Sequence, residues 1–198
     1  IETFSAKTAT TVTPGVKTYT GFTSPAVQSA VVDGSGTTVI EYRYLRKKYT
    51  VTMAINNTAY GSLNKSSLTV KHGTTYSVSS NVLTFSDGQK VTATTTDKNG
   101  YTTTFSSWSP SSGTITAATT ITANFSRSPI KYTYTFTSTN SSYGSVSPTS
   151  LSVPYDSTYS VSGNVLTFSD GQKVTATATA KTGYTTTFSS WSSTSGTV

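Results

Sequence analysis

The stretch Asn81-Val-Leu-Thr-Phe-Ser-Asp-Gly-Gln-Lys-Val-Thr-Ala-Thr94 occurs twice, returning without a change as Asn164–Thr177. Downstream, Gly100-Tyr-Thr-Thr-Thr-Phe-Ser-Ser-Trp-Ser109 returns as Gly183–Ser192 at the same offset of 83 positions. A fixed period with no gap between the blocks marks tandem modules, one supersecondary unit copied along the chain. Within the quoted stretch, Asp87-Gly88 separates two runs of alternating residues. Asp-Gly suits a tight hairpin turn and alternation is the strand period, so the block reads as a hairpin with Val91, Ala93 and Thr95 on one face.

Composition agrees with strands. Tyr (13) and Phe (8) supply most of the large apolar surface, and Ser, Thr, Val and Tyr outnumber Leu and Met. Such residues suit a pleated, half-buried surface and fill helices poorly. The expected fold is all-β, with small modules in an elongated array and little or no helix. No apolar run approaches the ~20 residues of a membrane-spanning helix. With no cysteine, the chain has neither a disulfide framework nor a thiolate metal site. The opening Ile1-Glu2-Thr3 carries no basic-apolar leader and suggests a piece of something longer.

Three sections follow from the repeat: 1–47, 48–130 and 131–198. In the first, Lys17–Phe22 and Val27–Val32 read as strands, and Asp33-Gly-Ser-Gly36 as a turn. The return strand Thr38–Leu45 places Ile40, Tyr42 and Tyr44 on one face. In the second, Tyr101, Thr103 and Phe105 share a face that Trp108 can rejoin only across a bulge. Thr119–Phe125 closes that module. In the third section, Val198 aligns with Ile115, so the closing strand has no counterpart and an unpaired edge is expected, to be covered by a neighbouring chain or further residues, or left frayed.

Two resemblances carry a functional expectation. The run "KTYTGFTSP" (17–25), "DGSGTTVIEYRY" (33–44) and "RKKYTVT" (46–52) resembles the C-terminal part of a mucin-binding-protein-like module. The segments "YTVT" (49–52), "YGS" (60–62), "LTVKHGTTYSV" (68–78), "VTATTTDKNGYTTTFSSW" (91–108) and "ITAATTITANF" (115–125) resemble the divergent internalin-type B-repeats, also called Listeria–Bacteroides repeats. The block "SSNVLTFSDGQK" (79–90) is longer than that family's pattern and reads as an added hairpin. The resemblance implies β-grasp-like modules of a bacterial cell-surface protein, without a shared catalytic residue, metal or cofactor. It implies an extracellular, wall-attached stalk or adhesin, and neighbouring repeats of the same polypeptide as its first partners.

The residues themselves give little chemistry. Asp33, Asp87 and Asp170 each precede Gly in a turn, where Asp is favoured for local hydrogen bonds. His72 stands in a turn, with Tyr155 in its place in the next copy, and reads as an exposed residue. No paired groups suited to acid–base or triad chemistry stand out, so an enzyme is not expected. A Lys–Asn isopeptide bond is a further idea, but the candidate lysines Lys90 and Lys173 read as solvated.

Tyr101, Phe105 and Trp108 could stack on a sugar, yet a module of ~80 residues with few Leu or Ile needs such rings for its core. Tyr60 and Tyr143, beside a glycine bend, are the better candidates for ligand contact. The net charge of +7, with Arg43, Arg46, Lys47 and Lys48 clustered, suits a glycan, a host protein or a cell-wall polyanion. No aromatic-interleaved motif points to specific nucleic-acid binding.

Overall fold

The computed structural model describes residues 2–198. Among them there is no helix, and the fold is all-β. The chain divides into two compact units, one holding the residues up to Thr94 together with Phe105–Phe125, the other holding Thr95–Thr104 with Ser126–Val198.

The first unit opens on short ladders. β1 (Thr11–Val12) pairs with β3 (Ala30–Val31), and β2 (Phe22–Thr23) with β4 (Leu45–Arg46), both antiparallel. The strands expected at Lys17–Phe22, Val27–Val32 and Thr38–Leu45 are mostly not paired as strands. Their alternation nonetheless holds: Ile40, Tyr42 and Tyr44 are half-buried while Val39, Glu41 and Arg43 are exposed. Tyrosine hydroxyls replace the ladder. The Tyr42 hydroxyl donates to the Pro14 carbonyl at 2.7 Å and accepts from the Gln28 N–H at 3.1 Å. The Tyr44 hydroxyl accepts from the Lys17 N–H at 3.0 Å. The Asp33 turn is built by Ser35 N–H on the carboxylate, and its positive φ falls on Gly36, not on Gly34.

The repeat proper begins at β5 (Lys48–Ile55), followed by β6 (Gly61–Leu63), β7 (Ser67–Lys71), β8 (Thr74–Ser79), β9 (Val82–Phe85) and β10 (Lys90–Thr95). β11 (Tyr101–Ser109), β12 (Gly113–Ile115) and β13 (Thr119–Pro129) complete the first copy. The strands form a five-stranded sheet in the order β12-β8-β9-β10-β6 and a four-stranded sheet in the order β11-β13-β5-β7. The quoted hairpin is β9–β10, with Thr84 opposite Lys90 and Gly88 at a φ of 88° in its turn.

One pairing is parallel: β13 lies beside β5 with Thr119 opposite Val51 and Ile121 opposite Met53. That strand fills the core, because its alternate residues Ile121, Ala123 and Phe125 are buried. They meet Val51, Met53, Leu68 and Val70 from one sheet and Leu83, Phe85, Val91 and Ala93 from the other, so both sheets close over one core. Phe105 and Trp108 join this cluster across the exposed pair Ser106 and Ser107, the shift in parity that a bulge produces. Asn56 fastens the strand end, donating to the Phe125 carbonyl at 2.9 Å and accepting the Phe125 N–H at 2.9 Å.

The second unit repeats most of this plan. β14 (Lys131–Thr135), β15 (Gly144–Ser147), β16 (Ser150–Pro154), β17 (Thr158–Ser162), β18 (Val165–Phe168), β19 (Lys173–Ala178) and β20 (Ser195–Thr197) follow in order. The five-stranded sheet returns as β15-β19-β18-β17-β20. The four-stranded sheet returns only as the pair β14-β16. Tyr184–Ser192, identical in sequence to β11, carries no strand here. No counterpart of β13 is present among the described residues. The core shrinks accordingly. Val153, Leu166, Phe168 and Val174 form its buried cluster, while Trp191 is half-buried where Trp108 is sealed.

The boundaries between the three sections are not free chain. Lys47 alone separates β4 from β5, and Ile130 alone separates β13 from β14. In the first unit Lys47 N–H donates to the Gly21 carbonyl at 2.8 Å, and His72 N–H donates to the Lys47 carbonyl at 2.7 Å. In the second unit Ile130 N–H donates to the Gly100 carbonyl at 2.9 Å, and Tyr155 N–H to the Ile130 carbonyl at 2.7 Å. The same relay is thus built twice.

Candidate functional site

Each relay carries a ring. Gly21 and Gly100 both have left-handed φ, +80° and +76°, and a Cβ on either would run into a ring, that of His72 or of Tyr155. His72 is therefore half-buried, not the exposed turn residue expected from its position, and its Nδ1 is buried without a hydrogen-bond partner. The Tyr155 ring meets Tyr101 edge-on, centroids 5.7 Å apart, and lies 6.4 Å from Tyr132. In the first unit His72 lies 6.1 Å from Tyr49, which is the position corresponding to Tyr132. These contacts were missed in the sequence. The signal for them was the recurring Gly-aromatic pair Gly21-Phe22, Gly100-Tyr101 and Gly183-Tyr184.

The aromatic residues considered as a sugar platform are mostly core. Trp108 is 2% exposed, and Phe105 packs between it and Phe125 at centroid distances of 5.9 and 5.5 Å. Tyr60 also packs against that core and is half-buried, so it offers less of a platform than its place beside Gly61 suggested. Tyr143 is open, at 48% exposure. Lys181 sits between two rings of the second unit, its Nζ 5.4 Å from the Tyr143 centroid and 5.4 Å from that of Tyr184. The ammonium thus occupies part of the face that a sugar would use.

The basic residues separate into different roles. Arg43 is tied to Glu41 in an exposed ion pair at 3.0 Å, and Lys47 serves the relay. Arg46 donates to the His72 carbonyl. Arg46 and Lys48 then line one groove of about 540 Å³ with Lys71, which sequence reasoning had not singled out. Thr69, Thr74, Ser86 and Asp87 supply its hydroxyls and single carboxylate. Two cations come from the β4–β5 junction and the third from the end of β7, which pairs with β5 through Lys48 opposite Lys71. The offset places Pro129, Lys131 and Pro154 where Arg46, Lys48 and Lys71 stand, so the second copy keeps one cation of the three. Gln89 and Gln172, by contrast, make matching bonds to the carbonyls of Thr69 and Ser152, as a structural feature should.

The carboxyls whose protonation is displaced all move one way. Glu2 is held below the ordinary range by Lys17, Asp33 by hydrogen bonds from Ser35, Glu41 by Arg43 and Asp170 by Gln172. A general acid at neutral pH needs the opposite displacement. Burial raises the Tyr76 hydroxyl, away from any role as a base. Among the described residues no group of three His, Asp or Glu side chains is placed to hold a metal ion. Lys90 and Lys173 are exposed.

No family model matches the chain, and neither a curated protein nor a solved structure does.

Proposed function

We propose that the chain is a non-catalytic repeat region of a bacterial cell-surface protein, acting as a stalk or spacer that carries adhesive surfaces away from the wall. The observation that supports this most is the relay built at Lys47 and again at Ile130, each with a ring seated on a left-handed glycine. A spacer requires a unit that is built the same way each time it recurs, and the return of the relay with each copy meets that need. The tandem array is elongated in this reading, and weak contacts repeated along it gain strength through effective concentration. The similarity to B-repeats and to mucin-binding modules, together with the lack of cysteine, points to a Gram-positive surface.

Small-angle X-ray scattering of the chain tests the spacer. An extended particle with little bending is the expected result, and a single compact globule rejects it.

A second reading has its own observation. The second copy keeps one of the three cations Arg46, Lys48 and Lys71, so the repeat fold does not require the cluster. Three cations with neighbouring hydroxyls suit an anionic glycan, an acidic host protein or a wall polyanion. Glycan-array and mucin binding, measured at low and high salt, separates this reading from a bare spacer.

A further inference from the structure

Arg46 on β4, Lys48 at the start of β5 and Lys71 at the end of β7 are exposed along one groove, and no carboxylate balances them. Lys48 and Lys71 are direct cross-strand neighbours. Like charges so placed repel and weaken the pairing. Among the described residues none of the three enters an ion pair. Asp87, the single carboxylate of the groove, is turned to its own loop. It accepts the Gln89 backbone N–H at 3.1 Å and the Gln89 side-chain amide at 2.8 Å. Three positive charges against one negative leave a net of two.

The second copy is balanced instead. Pro129 and Pro154 replace Arg46 and Lys71, and the Asp170 carboxyl is held below its ordinary range by Gln172 and, to a smaller extent, by Lys131. A buried hydroxyl persists in both copies, as Thr74 and Ser157, so the excess charge is what sets the first apart. Thr74 is 5% exposed and lines the groove, and its hydroxyl has no hydrogen-bond partner among the described residues.

The lining also selects among anions. Val70 is its one large apolar residue and is buried, and no aromatic residue is present. A protein partner would lack the apolar or aromatic anchor on which interfaces depend, and a nucleic acid would lack a ring for its bases. A volume of about 540 Å³ suits a sugar-sized unit better than a bare ion. Lysine and arginine match the oxygens of sulfate or phosphate substituents on such a unit.

The cations stand on both sides of the boundary at Lys47. Arg46 belongs to the first section, which it joins through a β2–β4 ladder of two residue pairs, while Lys48 and Lys71 belong to the repeat. The Arg46 guanidinium reaches across, donating to the His72 carbonyl, with Nη2 at 3.2 Å from where a Cβ on Gly73 would stand. Most of its five N–H donors remain for a ligand.

We infer that the groove takes a glycan carrying sulfate or phosphate groups, and that this anion ties the first section to the repeat by bridging Arg46 to Lys48 and Lys71. The inference rests on the reading of the groove as a binding site. The anion relieves the repulsion between the lysines and adds charge-assisted bonds across a boundary otherwise held by a short ladder and the Lys47 relay. A ligand that binds only the closed boundary stabilises it.

Amide hydrogen exchange of the intact chain read by NMR, with calorimetry on the same samples, tests the bridge. Dextran sulfate and phosphomannan are the probes and separate a sulfated source from a phosphorylated one. Polyglutamate and a DNA duplex serve as other polyanions. At least one probe binds and slows exchange of the Lys47 and His72 amides by about fivefold or more. The matching relay amides of Ile130 and Tyr155 do not change. Lys48→Gln combined with Lys71→Gln keeps the core amides protected and removes binding and slowing together. Binding without slowing overturns the bridge and leaves the groove as a site. Binding by neither probe, or undiminished binding by the double variant, overturns both. Equal slowing by polyglutamate or DNA overturns the assignment to a glycan.

Discussion

The Tyr155 ring covers Gly100, leaving no space for a side chain on that glycine. Gly183 occupies the matching place in the next copy, at nearly the same φ, and is open. The two glycines therefore separate two effects that normally occur together. Gly183→Ala meets only the left-handed backbone penalty, about 1 kcal/mol. Gly100→Ala meets that penalty and an overlap with the ring, a further ~1–3 kcal/mol. Denaturant unfolding of the two variants checks this, and equal losses would show that the ring contributes nothing to the junction.

Asn56 is the residue whose removal most directly loosens the closing strand. Both of its amide atoms bond to Phe125, whose ring is buried. Asn56→Ala leaves the Phe125 N–H and carbonyl without those partners, at a loss of about 1–3 kcal/mol. The corresponding Thr139→Ala has no such pair to break. Thermal melting of both variants is the measurement, with a clear drop expected for the first alone.

The two tryptophans share a sequence context and differ in cover. Trp108 is sealed beneath Phe105 and the closing strand, whereas Trp191 is half-buried. Trp108→Ala is expected to remove ~3–5 kcal/mol, the range for a buried large aromatic. Trp191→Ala removes less than ~3 kcal/mol, because part of its surface already faces water. Chemical denaturation followed by circular dichroism distinguishes them. A sugar-binding role at Trp108 would instead leave stability nearly unaltered.

The comparison of the copies also explains what could be read in the sequence. The β9–β10 hairpin was legible because Asp87-Gly88 and the alternation around it are local signals. The bulge before Trp108 was legible because parity alone requires it. The parallel seat of β13 beside β5 was not, since alternation fixes faces and says nothing of strand direction. The N-terminal section was half legible: the faces of Ile40, Tyr42 and Tyr44 follow their alternation, but hydroxyl bonds from Tyr42 and Tyr44 replace the expected ladders. In the basic cluster, Arg46 and Lys48 were found by adjacency. Lys71 reaches them only through the β5–β7 register, a long-range pairing that charge patterning does not encode.

That register makes the groove testable with its own internal control. Lys48 and Lys71 lie opposite each other on paired strands, and Arg46 joins them at the rim. If an anionic glycan binds there, Lys48→Glu combined with Lys71→Glu reverses the local charge, and affinity for a sulfated polysaccharide such as heparin falls by about tenfold or more, ~1.4 kcal/mol. The loss is larger at low salt, because screening between exposed charges strengthens as the Debye length shortens. Lys131→Glu alters the corresponding position of the second copy, where prolines replace the other two cations, and is expected to leave binding within about twofold, since a lone exposed charge contributes little. Surface plasmon resonance at two salt concentrations reads all three substitutions. Equal losses at Lys131 and in the groove variant would assign the binding to net charge alone and remove the groove as a site.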